Sequence, residues 1–269
     1  MDIRLDGETR IYYVVGDPIA QVKSPTGVTT AFQQRGLNAV CIPAHVGADQ
    51  LAEFFQALKS MRNVDGIMVT VPHKIAFTAL CDQVSERARF LNTVNTVRRE
   101  GDLWVGDMFD GLAQVEALSR NGAQLAGKKV ILAGAGGAGT AIAHALLEAG
   151  VAELAIHESD QQRRDNLIER LSQLNMARVY AGSSDPSGFD VVINATPLGM
   201  QPDDDLPFDG SKLTPAMFVG DVVAHPPQTA WIRHAQACGC PTSSGGDMFA
   251  CVRDLMVDFL LQGRSGESK

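Results

Sequence analysis

The chain has 269 residues, 45% of them hydrophobic and 20% charged, with a formal net charge of −8. That is ordinary globular composition, long enough for one large domain or two smaller ones. The acidity and the lack of a clustered basic face argue against a nucleic-acid surface, and no apolar run approaches the roughly 18 residues that span a bilayer.

Residues 11–15 are an apolar run read as a strand, broken by Gly16-Asp17-Pro18-Ile19. Ser24-Pro25 reads as an N-cap followed by proline at the first helical position, opening a helix to about residue 35 that Gly36 stops. A strand over 39–44, an amphipathic helix over 47–61 and a strand over 66–71 follow, the last ending in Thr70-Val71-Pro72-His73-Lys74. Residues 85–91 read as helical, and 94–98 with 103–105 as a hairpin around Glu100-Gly101-Asp102. The first hundred residues thus read as an α/β domain without a dinucleotide fingerprint. Gly106-Asp107-Met108-Phe109-Asp110-Gly111 is the switch into a second domain, where a helix runs to Asn121-Gly122.

The most informative stretch is 128–150. Residues 130–133 read as a buried parallel strand. Gly134, Gly136 and Gly139 then form G-x-G-x-x-G, and residues 140–148 have helical composition ended by Gly150. The first glycine permits a tight turn, the second lets backbone approach a pyrophosphate, and the third lets helix and strand pack closely. The helix N-terminus supplies N–H groups and the positive dipole end for phosphates. No Gly-Lys-Ser/Thr is present, so the triphosphate P-loop does not apply. The next strand, 153–157, ends at Glu158, about 20 residues past the glycines, where an acid accepts from the adenosine ribose hydroxyls and repels a 2′-phosphate. NAD is therefore expected, with NADP as the second option because Arg163 and Arg164 lie nearby.

Further strands are expected over 189–195, ending in Asn194-Ala195-Thr196-Pro197-Leu198-Gly199-Met200, and over 217–223. A helix over 228–238 ends at Gly239. A closing helix over 245–262 carries Met248, Phe249, Val252, Leu255, Met256 and Phe259 as one apolar stripe, read as core packing. Residues 203–205 read as a solvated acidic loop, and the charged tail 263–269 is expected to fray. The first eight residues lack an apolar signal core. The five cysteines are odd in number and scattered, and Cys238 and Cys240 are too close for the usual zinc pair. They are read as reduced and mostly buried, which points to the cytoplasm, with no metal site expected.

Lys74 follows a strand and a Val-Pro turn, where active-site loops of α/β domains lie; an amine placed there can act as general acid or base. Asp110, beside the domain switch, could orient it. In order along the chain, Gly16-Asp17-Pro18-Ile19 with Ser24-Pro25, Val69-Thr70-Val71-Pro72-His73-Lys74, Val94-Asn95-Thr96, Gly106 with Asp110-Gly111, Gly134-Ala135-Gly136-Gly137-Ala138 and the 194–200 run resemble the motifs of the shikimate/quinate dehydrogenases. The resemblance implies an α/β fold with an N-terminal substrate domain (1–108), a Rossmann-type dinucleotide-binding domain (109–239) and a C-terminal helix (240–269) returning to the first. It implies Lys74 and Asp110 as the catalytic pair, and Ser24, Thr70 and Asn95 as substrate ligands. For the cofactor it implies Gly134, Ala135, Gly136, Gly137, Ala138, Glu158, Asn194, Ala195, Thr196, Pro197, Val222, Gly245 and Met248. The partners implied are a small cyclic hydroxy acid and a nicotinamide cofactor, with no nucleic acid or membrane, in a monomer or homodimer.

The departures from the family pattern are apolar. Val22, Met68, Phe109, Ala224 and Val252 stand where the resemblance expects polar side chains, so weak binding of shikimate is expected. His157-Glu158-Ser159 replaces the usual Asn-Arg-Thr, which removes the arginine that clamps a 2′-phosphate. Two other readings stay open: a nucleotide-binding sensor or interaction protein without turnover, and an NAD-linked dehydrogenase of a folate-type substrate.

Overall fold

A computed structural model describes residues 5–262; the expectation for the 263–269 tail, and part of that for the first eight residues, lies outside them. The chain divides into two compact units, Met1–Phe109 with Arg253–Lys269, and Asp110–Val252.

The first unit contains β1 (Arg10–Gly16), α1 (Ser24–Gln34), β2 (Ala39–His45), α2 (Leu51–Ser60), β3 (Val64–Val69), α3 (Lys74–Leu80), β4 (Gln83–Val84), α4 (Glu86–Leu91), β5 (Thr96–Glu100) and β6 (Leu103–Asp107). They form a mixed sheet in the order β2-β1-β3-β5-β6-β4. β1 runs parallel to β2 and β3, while β5 is antiparallel to β3 and β6. All six residues of β3 are buried, as befits a central strand covered on both faces. On one face Phe55 meets Phe77 and Trp104 edge-on at 5.3 Å. Full burial of a phenylalanine such as Phe55 or Phe77 stabilises by about 1.5–3 kcal/mol. A second cluster joins Tyr12, Phe32 and Met68 to Val257 and Leu260 near the chain's end.

The second unit contains α5 (Asp110–Arg120), β7 (Lys129–Ala133), α6 (Gly137–Glu148), β8 (Glu153–His157), α7 (Gln161–Ser172), β9 (Arg178–Ala181), β10 (Val191–Asn194), β11 (Phe218–Asp221), α8 (Ala230–Ala237), β12 (Thr242–Ser243) and the start of α9 (Gly245–Gln262). All its strands are parallel, in the order β12-β11-β10-β7-β8-β9. Counted from β7 this is the doubly wound order of a dinucleotide-binding sheet, with its switch point between β7 and β10. Ile131, Val192, Val219, Trp231 and Phe208 share one core.

Several boundaries differ from the sequence expectations. α2 begins at Leu51 rather than 47, because the Gln50 N–H closes a turn on the Gly47 carbonyl. β3 ends at Val69, and α3, unexpected after a proline, begins at Lys74 once the His73 N–H has closed a turn on Thr70. The cap of α1 is Lys23, with no side-chain bond, and Ser24 is already helical. The apolar stripe of α9 is only partly core: Phe259 is buried but Phe249 is 55% exposed. None of the five cysteines is in a disulfide, and Cys41, Cys240 and Cys251 are buried. Among the described residues, no helix is long and apolar enough to cross a membrane and no cluster could hold a metal.

Candidate active site

In the second unit, the loop between β7 and α6 is shaped by its glycines. Gly134 has φ +102°, and a Cβ there would lie 2.8 Å from the Ala195 carbonyl oxygen. A Cβ on Gly139 would overlap the carbonyl of Gly134, so only glycine lets α6 start this close to β7. Nothing lies within 4 Å of a Cβ built on Gly136 or Gly137. The loop's outer side therefore opens onto a cavity of about 670 Å³. α6 begins without a side-chain cap, so its first-turn N–H groups suit an anion.

At the end of β8, Glu158 turns toward this loop. Its Oε2 accepts from the Ala135 N–H at 2.9 Å, and its Oε1 accepts from the Asp160 N–H and the Ser159 hydroxyl, both at 3.1 Å. Burial pushes the carboxyl upward, but these three donors, with Arg163 nearby, outweigh it and hold Glu158 below the ordinary glutamate range. Gly134, Gly136, Gly137, Ala138, Glu158, Ala195, Thr196, Pro197 and Val222 all line the cavity, joined by Ser159, Arg163, Leu198, Met200, Val223 and Ala224. Donors for a diphosphate, a carboxylate at the ribose position and apolar walls are what a dinucleotide requires.

Four residues expected at the cofactor are not among those lining the cavity. Ala135 is buried and contributes its N–H to Glu158. Gly245 lies under the wall, where a Cβ would overlap Val222 and Val223 backbone. Met248 does not line the cavity. Asn194 is fully buried, and its amide bonds are internal: Oδ1 accepts from the Thr196 N–H (3.0 Å) and hydroxyl (2.6 Å), and Nδ2 donates to the Leu198 carbonyl and to Asp221, both at 3.0 Å. It shapes the loop instead of facing the cavity. Asp204, expected in a solvated acidic loop, closes the same loop by accepting from the Gly199 N–H at 2.8 Å and the Gln201 N–H at 2.9 Å.

Sequence reasoning meets Asp221 only as the start of the Asp221-Val222-Val223 run and gives it no role. It is fully buried at the end of β11. It accepts from the Thr229 hydroxyl at 2.6 Å and from the Val223 N–H and Asn194 Nδ2 at 3.0 Å. Burial pushes its carboxyl up, opposed by those donors and the Val222 N–H. A threonine ahead of an apolar helix was the one available signal, since Thr229 is the N-cap of α8.

In the first unit, Thr70, Lys74 and Asn95 gather at the carboxyl end of β3. The Val69 N–H donates to the Asn95 carbonyl at 2.7 Å, the Thr70 N–H to Val15 at 2.9 Å, and the Val94 N–H to the Lys74 carbonyl at 2.9 Å. Asn95 is fully buried; its Oδ1 accepts from the Phe109 N–H at 3.2 Å and the Thr96 hydroxyl at 3.1 Å. Ser24 opens α1, and Asp110 is the first residue of α5 in the second unit. Asp107, also missed, is buried where it accepts from Ser85, Arg87 and the Met108 N–H (2.7 Å), fixing the segment before Phe109.

The apolar replacements have a structural reason. Met68 is in the core, and Val22 packs against that same cluster. The Phe109 ring lies 5.2 Å from Phe259 and beneath the Arg87 guanidinium. Met68 is thus interior and Val22 partly buried, while Phe109, though buried, also lines a cavity of about 600 Å³ with Arg87, Leu255 and Phe259. Ala224, by contrast, lines the dinucleotide-type cavity.

Known proteins share this pattern along the whole chain. A family profile described as the shikimate dehydrogenase substrate binding domain matches residues 14–97. The chain is 36% identical over 248 residues to a shikimate dehydrogenase (NADP(+)) of Rubrobacter xylanophilus, covering 90% of this chain and 87% of that protein. A relative of the same name from Geobacter metallireducens is 31% identical, with 91% and 88% covered. Among solved structures, the ligand-free 5-ketofructose reductase of a Gluconobacter strain superposes with a TM-score of 0.89 at 30% identity, covering 94% of this chain and 93% of that one. The shikimate 5-dehydrogenase of Listeria monocytogenes, solved with shikimate and NAD, superposes with a TM-score of 0.88 at 26% identity, covering 97% and 98%. The doubly wound sheet, its glycine-rich turn and this near-complete coverage lead to one assignment: the chain belongs to the shikimate dehydrogenase family.

Proposed function

We propose that the chain is an oxidoreductase acting on a ring hydroxyl or carbonyl of shikimate, quinate or a related cyclic hydroxy acid. The observation that carries this is the cavity in which the Gly134–Gly139 turn and the Glu158 carboxylate converge. A nicotinamide dinucleotide, when bound, supplies the acceptor or donor of the hydride. The α6 N-terminus and the glycine backbone hold its diphosphate, and Glu158 accepts from its ribose hydroxyls. Residues 1–108 are read as the substrate-binding domain, 109–239 as the dinucleotide-binding domain, and 240–269 as the C-terminal segment that belongs with the first.

Lys74 is assigned the proton: it takes it from the substrate hydroxyl during oxidation and returns it to the carbonyl oxygen during reduction. Asp110 orients the Lys74 amine. Thr70 and Asn95 hold the substrate hydroxyls, and Ser24 its carboxylate. Position and proton transfer are what the protein contributes. The bulk of the relatives' names specify NADP(+), but Glu158 favours NAD here, because a carboxylate beside a 2′-phosphate is repulsive. A soluble cytoplasmic enzyme, monomeric or homodimeric, agrees with this reading.

A second reading is a neutral keto-sugar as substrate. Val22 stands where a carboxylate-binding hydroxyl is expected, and a 5-ketofructose reductase is among the similar structures. The test is nicotinamide absorbance with NAD or NADH and a panel of shikimate, quinate, their dehydro forms and keto-sugars. Turnover of the ring acids supports the first reading, turnover of keto-sugars alone supports the second, and NADH binding without turnover of anything in the panel contradicts both.

A further inference from the structure

We infer that the buried Asp221–Thr229 pair is a positioning device for the dinucleotide site, setting two adjoining loops of the cavity lining from beneath without touching the cavity's contents. The inference rests on the dinucleotide reading above and goes beyond it, since neither residue lines the cavity.

Asp221 and Asn194 are the last residues of β11 and β10 and pair across the parallel ladder. The loops that rise from these neighbouring strand ends form adjoining parts of the cavity lining: Thr196, Pro197 and Leu198 from one, Val222, Val223 and Ala224 from the other. One carboxylate ties them together. Its Oδ1 takes the Val223 N–H directly, which fixes the second loop, and the Asn194 Nδ2, which reaches the first. Asn194 passes the restraint on, because its Oδ1 takes both donors of Thr196 and its Nδ2 also bonds Leu198. The Thr196 hydroxyl then accepts from the Leu198 N–H at 3.2 Å.

Thr229 closes the junction from the third side. Its hydroxyl donates to Asp221 Oδ2 and accepts from the Ile232 N–H at 3.2 Å, so the N-cap of α8 and the anchor of the carboxylate are one group. Thr229 also crowds the loop: a Cβ on Gly199 would sit 3.2 Å from the Thr229 Cβ. Asp221, Asn194 and Thr229 are each no more than 1% exposed, so water cannot substitute for a lost partner. A buried network of this kind holds one geometry when complete and loosens as a unit when one member is removed.

The test uses Thr229→Val, which keeps shape but removes the hydroxyl, and Thr229→Ser, which restores it. Trp231→Phe serves as a control that loosens the same helix without touching the network. NADH titration and amide hydrogen exchange of the cofactor-free protein are read on all three. Thr229→Val should weaken NADH binding roughly tenfold and speed exchange in both 195–200 and 222–224. Thr229→Ser should stay near wild type, and Trp231→Phe should lower the melting temperature without either effect. If wild type binds NADH and Thr229→Val binds it equally well, or if Trp231→Phe matches Thr229→Val in both readouts, the positioning role is overturned. If wild type does not bind NADH or NADPH, the dinucleotide reading itself fails and the inference goes with it. Faster exchange confined to one of the two loops would show that the carboxylate does not join them.

Discussion

Glu158, at the end of β8, accepts a hydrogen bond from the backbone N–H of Ala135, 2.9 Å away in the glycine-rich loop. The acid expected to meet a ribose is thus also a strut between a strand end and the glycine-rich turn. Its carboxylate faces the cavity with its position already fixed by three donors, so little ordering remains when a diol binds.

Cofactor choice follows from that placement. NADH should bind at least several-fold tighter than NADPH, since a carboxylate next to a phosphate is unfavourable by about 1 kcal/mol or more. Glu158→Arg should shift the preference toward NADPH. Calorimetric titration decides, and equal affinities in the wild type would exclude the assigned role.

The same residue makes a statement about pH. The Glu158 carboxyl is held below its ordinary value in the fold. Its contribution to stability is therefore complete above the unfolded value of about 4.3 and disappears as pH falls through the lower folded value. Glu158→Gln should melt below wild type at pH 7, and the two melting temperatures should converge as the pH falls below the unfolded value and through the lowered folded one. A gap unchanged across that range would show that the carboxylate charge plays no part in holding the loop.

Phe109 is a core residue, with Phe259 at 5.2 Å and Arg87 over its ring. Phe109→Ala should destabilise the first unit by about 3–5 kcal/mol in urea unfolding, while Phe109→Thr should not sharpen binding of shikimate. A loss under about 1 kcal/mol, or a marked fall in KM for Phe109→Thr, would mean that the side chain belongs to the substrate surface after all.

The parts legible in the sequence were those with local signatures. The parallel strand, glycine turn and helix over 128–150 announce themselves through spacing, and the end of β8 follows by counting. α3 was not legible, because Pro72 marks a break and nothing local shows that His73 buries its ring on the Val46 carbonyl at 2.7 Å. β4 and β12 are two-residue strands, too short for any periodic signal. The motif puts Asn194 at the cofactor, and nothing local shows that partners 2, 4 and 27 residues away hold its amide. Asp221 needs Thr229 eight residues on and Asn194 27 residues back, a convergence created only by the sheet. That Met68 points into the core was not legible, because a sequence gives residue type at a position but not the direction in which the side chain points.

If Lys74 carries the proton while the second unit binds the dinucleotide, steady-state kinetics of Lys74→Ala beside an NADH titration separates the two roles. With the best substrate from the panel, the turnover number should fall by roughly 100-fold or more while NADH affinity stays near wild type, because removing a general acid–base leaves cofactor binding intact. Asp110→Asn should lower turnover as well and alter its pH profile. Wild-type turnover in Lys74→Ala would contradict the account.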